Sequence, residues 1–343
     1  MFMTPIFPAI GHILQPDTFF NPPPAMTVTR HCISHHDVVE ARRRIVDHVV
    51  RTPMLDDESL SRQFGLDLRL KAENLQRTGS FKARGATNAV MTLSDDQIAG
   101  GIVTHSSGNH AAAVARAGGI RGVATHVIMP ENSSPAKVAN VRSFGVEPAF
   151  CLSTAQSRQE SADRHVAATG ATLVHPYDDP MTIAGQATTG LEIIEQAPSA
   201  DAVYVCLGGG GLLSGILIAI KAMRPDTKIY GAEPAWADDA SRSLRSGRIE
   251  MPTRYDTIAD GLRTPLGRYT FDIIRDLVDG IVLVDEDEIV TMRDRLEAAT
   301  RTKVEPSGAV AAAAIWKARD RHRGQTVVAT ISGGNVSTEP SNS

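Results

Sequence analysis

The stretch TGSFKARGA (residues 78–86) sets one lysine, Lys82, beside an aromatic ring, between a glycine-serine turn and a run that reads as a helix start. Three other polar, glycine-bearing stretches could hold anions: THSSGNHAAAVA (104–115), CLGGGGLLSG (206–215) and TISGGNVS (330–337). Gly208, Gly209, Gly210 and Gly211 let backbone N–H groups converge, and the helix start behind them adds partial positive charge, so a phosphate suits that place. A tight strand-to-helix turn needs only one or two glycines. In 104–115, the hydroxyls of Ser106 and Ser107, the Asn109 amide and His110 crowd another helix start, an arrangement that grips a carboxylate. A plain helix cap would need one serine. A lysine near a phosphate cradle and a carboxylate cradle has the parts to form a Schiff base with an aldehyde cofactor. Alone, Lys82 would read as a surface lysine; the three loops together argue otherwise. A dinucleotide site competes: Gly209-x-Gly211-x-x-Ser214 approaches GxGxxG, and Glu233 ends the next strand near the ribose-binding spacing. The third glycine is missing, which weakens that signal.

The elements that must position these loops are legible in the pattern. SHHDVVEARRRIVDHVV has a serine cap with Asp37 three residues on and an apolar stripe of Val38, Ile45, Val46 and Val49, which predicts a helix. LDLRLKA alternates like a strand, and short apolar runs follow: GIVTH, VATHVIMP, PAFCL, ATLVHP, AVYVCLG, KIYGAEP, GIVLVDE and TVVATIS. Ser134 followed by Pro135 marks another helix start. Strands alternating with helices predict an α/β fold of parallel βαβ units with both sheet faces covered, where ligands bind at the carboxyl ends of strands.

The chain has 343 residues, 42% hydrophobic and 22% charged, enough for two globular domains. Lys and Arg number 35 against 39 for Asp and Glu, a net charge of −4, so no basic field attracts nucleic acid or a membrane surface. Cys32, Cys151 and Cys206 are odd in number and widely spaced, which suits a reducing cytosol and a cytoplasmic protein better than a disulfide framework. No run approaches the ~18 apolar residues of a membrane span. Residues 1–33 begin with prolines at 5, 8, 16 and 22–24 and lack a basic start, which predicts a disordered extension, or residues upstream of a true start at Met26, and not a signal peptide.

TGSFKARGA, SSGNH, GGGG and SGGN, in this order and at these separations, resemble the fold-type II pyridoxal-phosphate enzymes of the serine/threonine dehydratase and serine racemase family. The likeness spans about residues 34–336, and the four motifs together are specific. It implies a two-domain α/β fold: a large cofactor domain from 34–103 and 179–343, and a small mobile domain over 104–178. It implies that Lys82 carries pyridoxal 5'-phosphate, Phe81 packs on the ring, and Asn109 bonds the phenolic oxygen. The backbone of Gly208 to Gly211 and Leu212 would take the phosphate, and Ser332 the pyridine nitrogen. A serine there leaves that nitrogen largely unprotonated, a weaker electron sink that favours prompt loss of a β-leaving group. Ser106, Ser107, Asn109, His110, Arg158 and Thr264 would line the substrate.

Three features point to the racemase and hydroxyaspartate dehydratase branch. Ser107 stands where threonine dehydratases usually have alanine, and its hydroxyl could act as acid or base opposite the lysine. EPAWADD resembles the family's divalent-cation site, with Glu233, the Ala237 carbonyl and Asp239 as hard oxygen ligands for Mg²⁺, Ca²⁺ or Mn²⁺. Arg158 resembles the arginine that reaches the bound ligand. A helix-capping serine, an acidic loop and a solvated arginine are the ordinary alternatives. Tyr177 departs from the asparagine common in racemases, and Ala112 from the glutamine of animal racemases, so activation by ATP is not expected. The chain stops soon after SGGNVS, so no regulatory domain is expected. The resemblance implies a homodimer that eliminates water from serine, threonine or 3-hydroxyaspartate to give a 2-oxo acid and ammonia, with racemisation as a second activity. A β-replacement synthase of the cysteine synthase type shares the fold, and a nicotinamide oxidoreductase would leave Lys82 idle.

Overall fold

The structure is a computed structural model that describes residues 31–336. The extension expected over residues 1–33 therefore lies outside the described residues except at its end, where Ile33 is already buried in the core. Ten strands run in chain order as β1 (Met54–Asp56), β2 (Asp67–Ala72), β3 (Ile102–His105), β4 (Thr125–Pro130), β5 (Ala149–Cys151), β6 (Thr172–Leu173), β7 (Ala202–Cys206), β8 (Lys228–Pro234), β9 (Gly280–Val284) and β10 (Thr326–Ile331). They form a six-stranded sheet, β1-β2-β10-β7-β8-β9, and a four-stranded sheet, β5-β4-β3-β6. Every pairing is parallel except β1 with β2. The sequence pattern finds nine of these strands. The edge strand β1 escapes it, because MLD is too short to alternate.

The central strands read as continuous apolar runs because helices cover both faces. The five residues of β7 are all buried, as are most of the helices Gly211–Met223 and Pro306–Ala318 that flank it. All four strands of the smaller sheet fall within residues 102–173. One side of the helix Lys82–Thr92, through Ala86, Ala89 and Val90, packs with Ile102, Val114 and Val174 of that smaller unit.

Capping follows the sequence signals. Ser34 and Asp37 form a reciprocal capping box at His35–Ile45, and Ser134 caps the helix Pro135–Arg142 with proline in its first turn. The helix that begins at Lys82 is anchored from its third residue. Arg84, fully buried, donates to both oxygens of Glu73 at 2.8 Å and to Glu192 at 2.7 and 2.8 Å, while Lys71 reaches Glu192 at 2.5 Å. Buried charges persist only when paired in this way, so the cluster fixes where the helix, and with it Lys82, can sit. Among the described residues no helix is long and apolar enough to cross a membrane.

Candidate active site

The three loops read from the sequence converge at the carboxyl ends of β3, β7 and β10, with Lys82 between them. Lys82 opens its helix with no side-chain cap, half-buried, and its Nζ donates to the Pro176 carbonyl at 2.6 Å. Burial is the main cause that lowers the amine to about 8, and the Cys206 thiol opposes it weakly. Phe81 lies alongside, with Nζ 5.1 Å from its ring centroid, and its N–H donates to Ser332 O at 3.1 Å, tying this turn to the end of β10. A bridge between Ser80 and Gly333 makes the same tie.

The glycine loop after β7 has room for nothing larger. Gly210 has φ +87°, in the left-handed region, and a Cβ on Gly209 would enter the face of the Tyr177 ring. Gly210 also begins the helix Gly211–Met223 with no side-chain cap, so the first N–H groups, that of buried Leu212 among them, have no side-chain acceptor at the cap. Thr270 Oγ1 donates to Gly209 O at 2.9 Å and holds the loop from behind. Uncapped N–H groups at a helix start suit an anion such as phosphate.

The loop after β3 is the second cradle. Gly108 begins the helix Asn109–Arg121, again without a side-chain cap. Ser106 Oγ accepts from Gly108 N at 3.2 Å, whereas Ser107, half-buried, has no hydrogen-bond partner among the described residues and so is not a helix cap. Asn109 Nδ2 donates to Glu305 Oε1 at 2.7 Å, and Asn335 Nδ2 donates to Asn109 Oδ1 at 2.8 Å. His110 is buried. Its Nε2 faces the Val174 carbonyl at 3.1 Å and must donate, which leaves Nδ1 as a buried acceptor without a partner. Desolvation holds this ring well below the ordinary histidine range. Ser332 is buried at the end of β10, its hydroxyl 3.3 Å from Ser307 O and beside the Cys206 thiol, which burial pushes up to about 11.

Arg158 lies in the first turn of Ala155–Thr169, half-buried and without an ion pair among the described residues; its charge reaches His105 and Tyr177. Thr264 is half-buried just beyond the turn Asp260–Leu262, whose Leu262 backs Gly208. Glu233, the last residue but one of β8, is buried, its two oxygens accepting from Ala240 N at 2.7 Å and Ser241 N at 2.9 Å. Asp239 has a buried Oδ2 without a partner, and burial raises its carboxyl to about 7 and that of Glu233 well above the ordinary range. Ala237, also buried, closes the turn between them. The partnerless Asp239 oxygen is of the kind that suits a hard cation, whereas both Glu233 oxygens already accept backbone N–H groups. No group of three His, Cys, Asp or Glu among the described residues is arranged to hold a metal.

Several residues of this region carried no sequence signal. Glu305 precedes the proline of Pro306–Ala318 and reads only as a helix start, yet it is buried against Asn109. Asp178 accepts from the N–H groups of Arg268, Tyr269 and Thr270 at 2.8–3.3 Å and caps Arg268–Leu277 from far away in sequence. Its neighbour Asp179 caps the next helix, Pro180–Gln196, and the DDP spelling could have signalled that second cap.

Residues 45–333 match the model of the family described as pyridoxal-phosphate dependent enzyme. The chain is 41% identical over 306 residues to the serine racemase of Oryza sativa subsp. indica, covering 88% of this chain and 90% of the relative. It is 40% identical over 303 residues to the beta-hydroxyaspartate dehydratase of Paracoccus denitrificans, covering 88% and 96%. The crystal structure of a T.th. threonine deaminase superposes with a TM-score of 0.85 at 43% identity, covering 90% of this chain and all of that one. With this coverage, and with a lysine lying between two uncapped cradles, the chain belongs to the pyridoxal-phosphate dependent enzymes.

Proposed function

We propose that this chain is a dehydratase that converts a β-hydroxy amino acid, serine, threonine or 3-hydroxyaspartate, to a 2-oxo acid and ammonia, with racemisation as a second activity. The observation that carries the reading is Lys82: a desolvated amine held at 2.6 Å by a backbone carbonyl between a phosphate cradle and a carboxylate cradle. Relatives that include a beta-hydroxyaspartate dehydratase and an L-threo-3-hydroxyaspartate ammonia-lyase support it.

Bound pyridoxal phosphate supplies the electron sink that acidifies the Cα–H of an amino acid attached to it. Lys82 would hold the cofactor and then, freed by the substrate, take the Cα proton; burial, which lowers the amine to about 8, keeps a share of it unprotonated near neutral pH. Gly208 to Gly211 and Leu212 would bind the phosphate through N–H groups, Phe81 would pack on the ring, and Asn109 would bond the phenolic oxygen. Ser332 would meet the pyridine nitrogen without protonating it. Ser106, Ser107, Asn109 and His110 would take the substrate carboxylate at the start of their helix, with Thr264 and Arg158 closing the pocket. Ser107, uncommitted to a cap, is the group that could return a proton to the other face of Cα. Glu233, the Ala237 carbonyl and Asp239 would hold Mg²⁺ or a similar cation. A homodimer belongs to the same proposal.

The deciding experiment offers purified protein a panel of β-hydroxy amino acids and measures 2-oxo acid release. A yellow preparation bleached by borohydride and active on at least one member supports the reading. A colourless, inactive protein after incubation with pyridoxal phosphate refutes it, and light scattering tests the dimer.

A further inference from the structure

The pairing of β3 with β6 sets Ile102 beside Thr172 and Val103 beside Leu173. Continued two residues, it brings His105 opposite His175, and their rings meet edge to face with centroids 6.4 Å apart. Both therefore stand at the carboxyl end of parallel strands, the edge at which such sheets take ligands.

His175 is held in one orientation and one tautomer. Its Nδ1 accepts from the backbone N–H of Asp178 at 2.8 Å and of Tyr177 at 3.3 Å. With Nδ1 as acceptor, the neutral ring carries its hydrogen on Nε2. Burial, then the proximity of His105 and Lys82, lowers the ring to about 4, so it stays neutral at physiological pH. No described group of the protein accepts from Nε2. The next residue, Pro176, is the one whose carbonyl holds Lys82 Nζ at 2.6 Å, and the Tyr177 ring packs on His175 at 4.8 Å. His175 is thus a fixed, neutral donor one residue from the anchor of the lysine.

We propose that His175 Nε2–H binds the β-oxygen of the substrate and holds the departing hydroxyl beside Lys82, so that the Cα proton taken by the lysine amine passes to that oxygen as the Cβ–O bond breaks and water leaves. This rests on the dehydratase reading above. The substrate carboxylate is drawn to the start of the helix Asn109–Arg121, so the side-chain end is left to the 175–177 turn, where the Arg158 charge also reaches. The ring positions and does not relay a proton, because both backbone N–H groups occupy Nδ1. Its neutrality matters as well: a charged imidazolium there would oppose protonation of Lys82.

His175→Asn keeps a short side-chain acceptor for the turn and removes the Nε2–H. Its kcat/KM is compared with wild type on the best β-hydroxy amino acid of the panel and on β-chloroalanine, whose leaving chloride accepts hydrogen bonds only feebly. One neutral hydrogen bond corresponds to a loss of roughly three- to tenfold on the hydroxy substrate, with less than twofold change on β-chloroalanine. Turnover of β-chloroalanine also certifies that the variant is folded and loaded; if there is none, His175→Ala, which also lacks the donor, is measured in the same way. Equal losses on both substrates, or no loss on either, overturn the assignment while leaving the reaction intact. A wild type that releases no 2-oxo acid from any β-hydroxy amino acid overturns the reaction and the assignment with it.

Discussion

Asn109 donates from Nδ2 to Glu305 Oε1 at 2.7 Å, and the other oxygen of that carboxyl is buried with no partner. Burial raises Glu305 to about 7, with Asp260 adding to the rise and Lys137 opposing it. Lys137 and Asp260 themselves form an ion pair between the helix Pro135–Arg142 and the turn Asp260–Leu262. A carboxyl whose folded pKa exceeds its unfolded value binds its proton more tightly when folded. Stability through this group is therefore full below about 4.5 and is lost as pH rises toward 7. Glu305→Gln cannot titrate, and its amide oxygen can still accept from Asn109. The variant should gain melting temperature relative to wild type on going from pH 5 to pH 8. A difference that is flat with pH would mean that Glu305 is already ionised when folded.

Lys82→Ala should leave melting temperature within a few degrees, because the residue is half-buried at a helix start and its side chain makes one hydrogen bond among the described residues, to the Pro176 carbonyl, beside the Phe81 ring. It should lose the borohydride-sensitive absorbance and at least about 10²–10⁴-fold in kcat. Activity near wild type would remove Lys82 from the chemistry.

Gly210→Ala forces a Cβ into the left-handed region at φ +87°, at about 1–2 kcal/mol. Gly209→Ala drives a Cβ into the Tyr177 ring. Both should weaken pyridoxal phosphate binding by about tenfold or more, read by fluorescence titration. In the Gly209 variant, Tyr177→Ala should restore part of the loss. Undiminished binding in both variants would place the phosphate elsewhere.

A cation between Glu233 and Asp239 must displace protons from carboxyls that burial has raised, Asp239 to about 7. Its affinity should therefore climb as pH rises through 7. Chelation should lower activity and melting temperature, and Mg²⁺ should restore both in wild type but not in Asp239→Ala. If chelator changes neither protein, the carboxyls bind no metal.

Arg158 has no ion pair among the described residues, so a second substrate carboxylate would meet an uncompensated guanidinium. A charge-assisted bond of roughly 1.5–3 kcal/mol predicts that Arg158→Ala loses one to two powers of ten in kcat/KM on 3-hydroxyaspartate and little on serine. Equal effects on both substrates would show that Arg158 does not read the side chain.

Much of this protein is decided locally and is therefore legible in its sequence. Strand runs such as AVYVC, the Ser34–Asp37 box, the Ser134-Pro135 start and the unbroken glycines at 208–211 are answers to short-range sterics and hydrogen bonding. Lys82 and the three loops could be read because a parallel sheet sends every strand end to the same side. The tertiary structure alone decided the pairings that cross the chain. Glu305 meets Asn109 across 196 residues, Asp178 caps a helix 90 residues on, and His175 faces His105 only because β3 and β6 are neighbours in register. Nor could the charge state of Glu305, Asp239 or His175 be read from residue type, since burial sets it, and burial exists only once the sheets have closed.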